Sequence, residues 1–192
     1  MPVFLLGALW SIAFLPPARA ASGAWNVTTA GNWSTLGNWS PAAVPGTAFG
    51  DTATINVNIS GSRTVTIDSA VTLGSLSIGD TDASNIYTLA LSGGTLTFDQ
   101  SGNGSGTANL TQLSGSKGDT ISAGFSLNDN LAITNSSATG GLLTLSGAIA
   151  NGGFGAKGLS IRVCLGNNAQ ALSHMKTQAR ETIAAKVRWS FS

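Results

Sequence analysis

Two closely spaced carboxylates, Asp80 and Asp82, are the strongest candidates for chemistry in this sequence. A pair of acidic side chains can act as acid and base in glycoside hydrolysis, and their oxygens can also bind Ca²⁺. The segment GDTDASN, however, lacks the third oxygen ligand and the final Glu of a D-x-D-x-D-G calcium loop. We therefore interpret the pair as a polar turn and predict no catalytic residue, metal site or cofactor. Solitary aspartates beside Ser or Gly are predicted to cap turns; they are Asp68, Asp99, Asp119 and Asp129.

Most other reactive residue types are confined to the C-terminal part of the chain. Cys164 and His174 are the only cysteine and the only histidine, and residues 21–161 contain no glutamate. A Ser-His-Asp triad, a Cys-His pair and a histidine-based metal site are therefore excluded from residues 21–161. Cys164 and His174 have no orienting third group near them in sequence. The protein is predicted not to be an enzyme.

An aromatic cluster, Trp25, Trp33 and Trp39, lies among Gly and Asn residues. Each indole can bury about 150–250 Å², so exposing all of them would be unfavourable. We predict that residues 21–50 form a Trp-rich cap over one end of the hydrophobic core. The alternative is a platform on which sugar rings stack.

The composition describes a chain with few charges and enough apolar residues for a core. Charged residues make up 9% and hydrophobic residues 42% of the 192 residues, and the net charge is +1. A low apolar content and a high charge mark disordered tails, and a basic balance marks nucleic-acid binding, so neither class is indicated. Residues 21–161 carry three basic and seven acidic side chains (3 − 7 = −4), whereas residues 162–192 carry five basic and one acidic (5 − 1 = +4). We predict a boundary at residue 161.

The segment after that boundary, residues 162–192, is an atypical tail, which we interpret as the product of a frameshift or a truncated gene. The alternative is a helix over TIAAKVRW (182–189) that caps the core.

The N-terminal twenty residues have the pattern of a signal peptide. Met1–Leu15 is apolar, Pro16-Pro17 interrupts it, and Ala18-Arg19-Ala20 is a small-x-small triplet. Cleavage is predicted between Ala20 and Ala21, with export to the extracellular space or the outer cell surface. The apolar stretch is shorter than the ~20 residues that span a bilayer, and we predict no transmembrane helix in the mature chain.

From residue 51 to residue 161 the sequence is a series of short strands separated by polar turns. The runs alternate apolar and polar residues, which is typical of half-buried strands, and Gly-Ser-Asn-Asp clusters lie between them. The predicted fold is all-β. Recurrence of similar phrases favours a solenoid over the alternative, a β-sandwich. The runs are 52–59, 64–67, 72–78, 87–91, 95–98, 108–113, 124–133, 141–149 and 158–161.

Several phrases in order resemble bacterial autotransporter-associated β-strand repeat proteins. They are GNWS (31–34), NWSPAAVP (38–45), TVTIDSAVTLGSLSI (64–78) and SGGTLTF (92–98). The resemblance covers about residues 25–161. It implies a right-handed parallel β-helix in an exported passenger region, and several members of that family end in an outer-membrane barrel or a sorting signal.

The resemblance also implies a function. We predict an exported structural or adhesive passenger segment without catalytic activity, which in intact relatives is part of a longer passenger. Its partners would be surface polysaccharide or the surface of a host or neighbouring cell, and not nucleic acid. The alternative is a carbohydrate-binding or carbohydrate-active β-helix protein, with Asp80 and Asp82 catalytic and the tryptophans stacking sugar.

Overall fold

The computed structural model describes residues 20–163 and the backbone of residues 187–191. The predicted signal peptide up to Arg19 and most of the predicted tail, including Cys164 and His174, lie outside the described residues. Within them the chain is all-β, as the sequence predicts, with one 3₁₀ turn at Leu36–Asn38. No helix in this described part is long and apolar enough to cross a membrane.

The strands are short and follow one another closely. In chain order they are β1 (Ser22–Trp25), β2 (Gly31–Asn32), β3 (Trp39–Ser40), β4 (Thr52–Ile55), β5 (Arg63–Ile67), β6 (Ala70–Leu73), β7 (Ser75–Ile78), β8 (Tyr87–Leu91), β9 (Thr95–Phe98), β10 (Thr107–Gln112), β11 (Gly118–Ile121), β12 (Phe125–Leu127), β13 (Asn130–Asn135), β14 (Leu142–Leu145), β15 (Ile149–Asn151), β16 (Leu159–Val163) and β17 (Val187–Phe191).

These strands form three sheets, and all described neighbours pair in parallel except β1 and β3. The first sheet has the order β17-β16-β13-β10-β7-β4-β1-β3. The second has the order β14-β11-β8-β5-β2, and the third β15-β12-β9-β6. From β4 to β16 the chain passes through the first, second and third sheets in turn, and we call each such passage a circuit.

Register places apolar side chains of successive circuits opposite one another. In the first sheet, Ala53, Leu76, Leu110, Ile133 and Ile161 form one buried column. Contacts between directly opposed side chains stabilise a sheet, and burial of apolar area drives the packing. The core therefore runs through the stack as columns that continue from circuit to circuit.

The corners between sheets differ in length. Corners from the second to the third sheet are short, and corners from the first to the second are longer (56–62, 79–86, 113–117 and 136–141). Corners from the third to the first sheet alternate between short (74 and 128–129) and long (99–106 and 152–158). Asp80, Asp82 and Asp99 lie in longer corners, Asp68 and Asp129 lie in short ones, and Asp119 lies in β11.

Three apolar runs that the sequence analysis treated as single units each contain two strands. The runs at 72–78, 124–133 and 141–149 change sheet at 74, 128–129 and 146–148. Alternation continues across the corners at 128–129 and 146–148, and the corner at 74 is a single residue, so the pattern does not reveal them. Strand β11 was missed because Gly118 and Asp119 are residue types of a turn.

Beyond the predicted boundary, the backbone continues the first sheet. Strand β16 reaches Val163, and β17 pairs with it in parallel, with Val187 opposite Leu159. The alternative of a capping helix over 182–189 is therefore wrong for residues 187–189.

Candidate functional site

The first candidate, Asp80, is a buried organiser of the 79–86 corner. Its Oδ1 accepts hydrogen bonds from the N–H groups of Ile59 (3.2 Å) and Thr81 (2.9 Å). Its Oδ2 accepts bonds from the Asn85 N–H (2.9 Å) and the Ser84 hydroxyl (3.1 Å). The Asp80 side chain is fully buried, so it ties its own corner to the corner of the preceding circuit.

Its predicted partner, Asp82, lies in solvent. The Ser84 N–H donates to Asp82 Oδ1 over 3.0 Å, and hydrogen bonding from Ser84 lowers the pKa of Asp82 below its ordinary value. One carboxylate of the pair is thus buried with four donors and the other is exposed on a turn. Glycoside hydrolysis needs two carboxyl groups that both reach the sugar, and Asp80 has no exposed oxygen with which to do so.

A second buried network surrounds Asp119 in β11. Its Oδ1 accepts the Tyr87 N–H (2.9 Å), and its Oδ2 accepts the Ser116 hydroxyl. The Ser116 oxygen in turn accepts bonds from Gln112 Nε2 (3.0 Å) and the Gly118 N–H (3.1 Å). Burial raises the pKa of Asp119 above its ordinary value, and these bonds offset only part of that effect.

Tyr87 connects the two networks. Its hydroxyl donates to the Val57 carbonyl over 2.7 Å, and its ring is fully buried. Burial, together with the Asp80 and Asp119 carboxylates, raises the pKa of Tyr87 to about 12. A phenol of this kind holds its proton at physiological pH, so it acts here as a hydrogen-bond donor.

A third network joins Asp129 to the 99–106 corner. Asp129 Oδ2 accepts the N–H groups of Gln100 (2.8 Å) and Ser101 (2.7 Å), and Oδ1 accepts the Gly106 N–H (2.8 Å). The Ser101 hydroxyl also donates to Oδ2 (2.8 Å). Burial raises the pKa of Asp129, but the bonds from Ser101, Gly106 and Gln100 outweigh it and lower the pKa below its ordinary value.

Asp51, which precedes β4, is the fourth buried carboxylate with several donors. Its Oδ2 accepts the N–H groups of Gly46 (2.8 Å), Thr47 (2.9 Å) and Ala48 (3.3 Å). Its Oδ1 accepts the Ala21 N–H over 2.6 Å. The sequence analysis did not single out Asp51 as a site residue, although its position directly before a strand is a usable signal.

The predicted aromatic residues pack on one another at the β1–β3 end of the first sheet. The ring centroids of Trp25 and Trp39 lie 5.2 Å apart, and those of Trp33 and Trp39 lie 4.6 Å apart. Trp39 Nε1 donates to the Trp33 carbonyl (2.7 Å), and Trp33 Nε1 donates to the Pro45 carbonyl (2.8 Å). With exposures of 1%, 0% and 1%, these indoles offer no ring face to a sugar.

In the described part of the chain, no group of three or more His, Cys, Asp or Glu side chains could hold a metal ion. The buried carboxylates instead bind backbone N–H groups and hydroxyls of neighbouring corners. Chemically, this arrangement holds corners in place.

No family model, curated protein or solved structure matches this chain.

Proposed function

We propose that this chain is an exported structural segment, displayed outside the cell, whose core is a right-handed parallel β-helix without catalytic activity. The observation that supports the fold is the passage of the chain through three parallel sheets in turn from β4 to β16. Sandwich folds are built mainly from antiparallel strands, so the alternative fits this topology less well. A continuous ladder of this kind makes a stiff rod in which each repeat contacts its neighbours.

The carboxylates support the absence of catalysis. Each of the seven aspartates in residues 21–161 accepts at least one hydrogen bond; they are Asp51, Asp68, Asp80, Asp82, Asp99, Asp119 and Asp129. Four of the five buried aspartates accept hydrogen bonds that join different circuits. Asp80, Asp99 and Asp129 each join two corners, and Asp119 joins a corner to a strand. Acids committed in this way contribute to the scaffold and are poorly placed for proton transfer to a bound substrate.

The location outside the cell rests on the sequence. The apolar leader and the Ala18-Arg19-Ala20 triplet support export, and the family resemblance supports display on the cell surface as part of a longer passenger. The polar corners would face surface polysaccharide or a neighbouring or host cell.

Display can be tested on bacteria that secrete the full chain. Antibodies against residues 20–163 should label intact, unpermeabilised cells or detect the protein in the medium. A variant lacking residues 2–20 is the matched control and should be found only in lysates. Labelling of the full chain that requires permeabilisation would contradict the proposed location.

The fold can be tested by removing one circuit. Leu131 lies opposite Leu159, an offset of 159 − 131 = 28 residues. Excision of residues 130–157 should therefore let β16 pair with β10 and leave a protease-resistant β-rich protein, because successive circuits are equivalent neighbours.

The control for this excision removes half as many residues, 130–143, from the same starting point. It should leave the circuits before residue 130 folded but make the residues after the deletion sensitive to protease and lower the melting temperature, since the strands after the deletion no longer meet their neighbours in register. Equal loss of structure in both variants would contradict the solenoid.

A further inference from the structure

We propose that removal of the leader creates a ligand for this fold: the α-ammonium group of Ala21, which is bound by the buried carboxylate of Asp51. The inference rests on the export that forms part of the proposed function. It assigns Asp51 a role as receptor for the mature N-terminus.

The geometry places the donor and the acceptor in direct contact. Ala21 N lies 2.6 Å from Asp51 Oδ1, and Asp51 is fully buried. The three N–H groups of residues 46–48 occupy the other oxygen, Oδ2. Among the described residues, Oδ1 has Ala21 as its donor.

Ala21 is fixed in place by the first sheet. Its carbonyl accepts the Thr52 N–H over 2.8 Å, at the point where β1 begins to pair with β4. Ala20, the residue before it, is exposed. The predicted cleavage point therefore lies between an exposed residue and the first residue that is bonded to the sheet.

Cleavage changes the chemistry of this contact. Water adds across the Ala20–Ala21 peptide bond under the action of a signal peptidase of the host; Ala20 leaves as a carboxylate, and the Ala21 nitrogen takes a proton to become an ammonium. One N–H of that ammonium donates to Asp51 Oδ1. The other two face the solvent where Ala20 was attached and bind water. A hydrogen bond from a neutral amide to the carboxylate thus becomes a bond from a cationic donor, so the attraction between two opposite charges is added to it.

The backbone of Asp51 binds the next circuit. Its carbonyl accepts the N–H groups of Gly74 (2.8 Å) and Ser75 (3.2 Å), which lie at the corner where β7 begins. The mature terminus is therefore tied through a single residue to the 46–48 turn and to β7. Processing would stabilise this end of the molecule as well as release the chain.

The test uses the full chain secreted through its own leader, with N-terminal sequencing of the product. The matched variant carries one Gly inserted between Ala20 and Ala21, so that its terminus lies one residue farther out and Ala21 keeps a neutral amide. The amine of the unaltered protein should react with acetic anhydride at least about fivefold more slowly at neutral pH, because a bound ammonium holds its proton. Lys117, which is exposed, serves as the internal control.

Thermal unfolding gives the second readout. The inserted variant should melt about 2–4 °C lower in a chain of this size, because its ammonium lies one residue too far from Asp51 to bind it. In the Asp51→Asn protein the inserted Gly should have no further effect on the melting temperature. If Asp51→Asn does not fold, the labelling rates decide the question without it.

The outcomes separate the two proposals. A product that begins at Ala21 with equal labelling rates in both proteins overturns the role of Asp51 and leaves export intact. A secreted product that begins at another residue also overturns the role of Asp51 alone, whereas a chain that keeps its leader and stays inside the cell overturns both.

Discussion

Asp119 and Asp129 are both buried carboxylates, with 2% and 0% of their surfaces exposed, but their pKa values shift in opposite directions. Asp129 receives three backbone N–H groups and a hydroxyl, whereas Asp119 receives one backbone N–H group and a hydroxyl. Burial opposes ionisation in both. Asp119 is also the more deeply enclosed by protein atoms, so the balance between burial and the donors aimed at the acid, and not exposure alone, decides the sign of the shift.

The backbone around each acid explains the difference in donors. The 99–106 corner folds over Asp129, and the left-handed φ values of Gly102 (70°) and Gly104 (77°) allow its chain to curl in this way. The 113–117 corner is shorter, and its Ser116 hydroxyl is shared between Asp119 and Gln112. A long glycine-containing corner can therefore hold an ionised acid, and the short one holds it less well.

The largest effect is expected from Asp129→Asn at pH 7. The amide NH₂ would face backbone N–H groups that now donate to a carboxylate, and the charge-assisted bonds would be lost. We expect a loss of about 3 kcal/mol in the free energy of unfolding, seen by circular dichroism as a melting temperature lower by about 6–12 °C. A shift as small as that of Asp82→Asn, an exposed turn variant, would mean that the 99–106 corner does not depend on Asp129.

A smaller effect is expected from Asp119→Asn, about 1 kcal/mol at pH 7, because fewer donors are lost. The pH dependence should also have the opposite sign. The folded pKa of Asp119 is raised, so its contribution to stability is complete below the unfolded value of about 3.9 and is lost as the pH rises through the folded pKa. The folded pKa of Asp129 is lowered, so its contribution is complete above about 3.9 and is lost as the pH falls through the folded pKa.

Melting curves of the two variants and the unaltered protein between pH 3 and pH 8 measure this contrast. The destabilisation by Asp129→Asn should shrink towards pH 3, and that by Asp119→Asn should shrink towards pH 8. Parallel curves would contradict the opposite shifts of the two acids.

The sequence predicts the strands far better than the contacts of the acids. The runs at 87–91 and 95–98 coincide with β8 and β9 because alternation is a local property of the chain. The four donors of Asp129 come from residues 23 to 29 positions away, and the donor at Asp119 from Tyr87 is 32 positions away. Such partners meet only when the circuits stack, so composition and spacing cannot reveal them.

The tryptophans illustrate the same limit. Their size predicts burial, but whether they form a cap or a sugar platform depends on what packs over them. The antiparallel pairing of β1 with β3 places Trp25 opposite Trp39, and the Pro45 carbonyl accepts the Trp33 indole N–H. Only the assembled end of the sheet shows this.

The single-residue corner at Gly74 changes which alternate residues of the next strand face the core. Leu73 and Leu76 both point into the core, three positions apart, so crossing this corner inverts the odd–even rule that assigns side chains to the inside. The corner at 128–129 separates the inward Leu127 and Leu131 by four positions, and the rule continues unchanged. Corner length therefore carries parity: adding one residue would turn a following strand inside out, whereas adding two would preserve its facing.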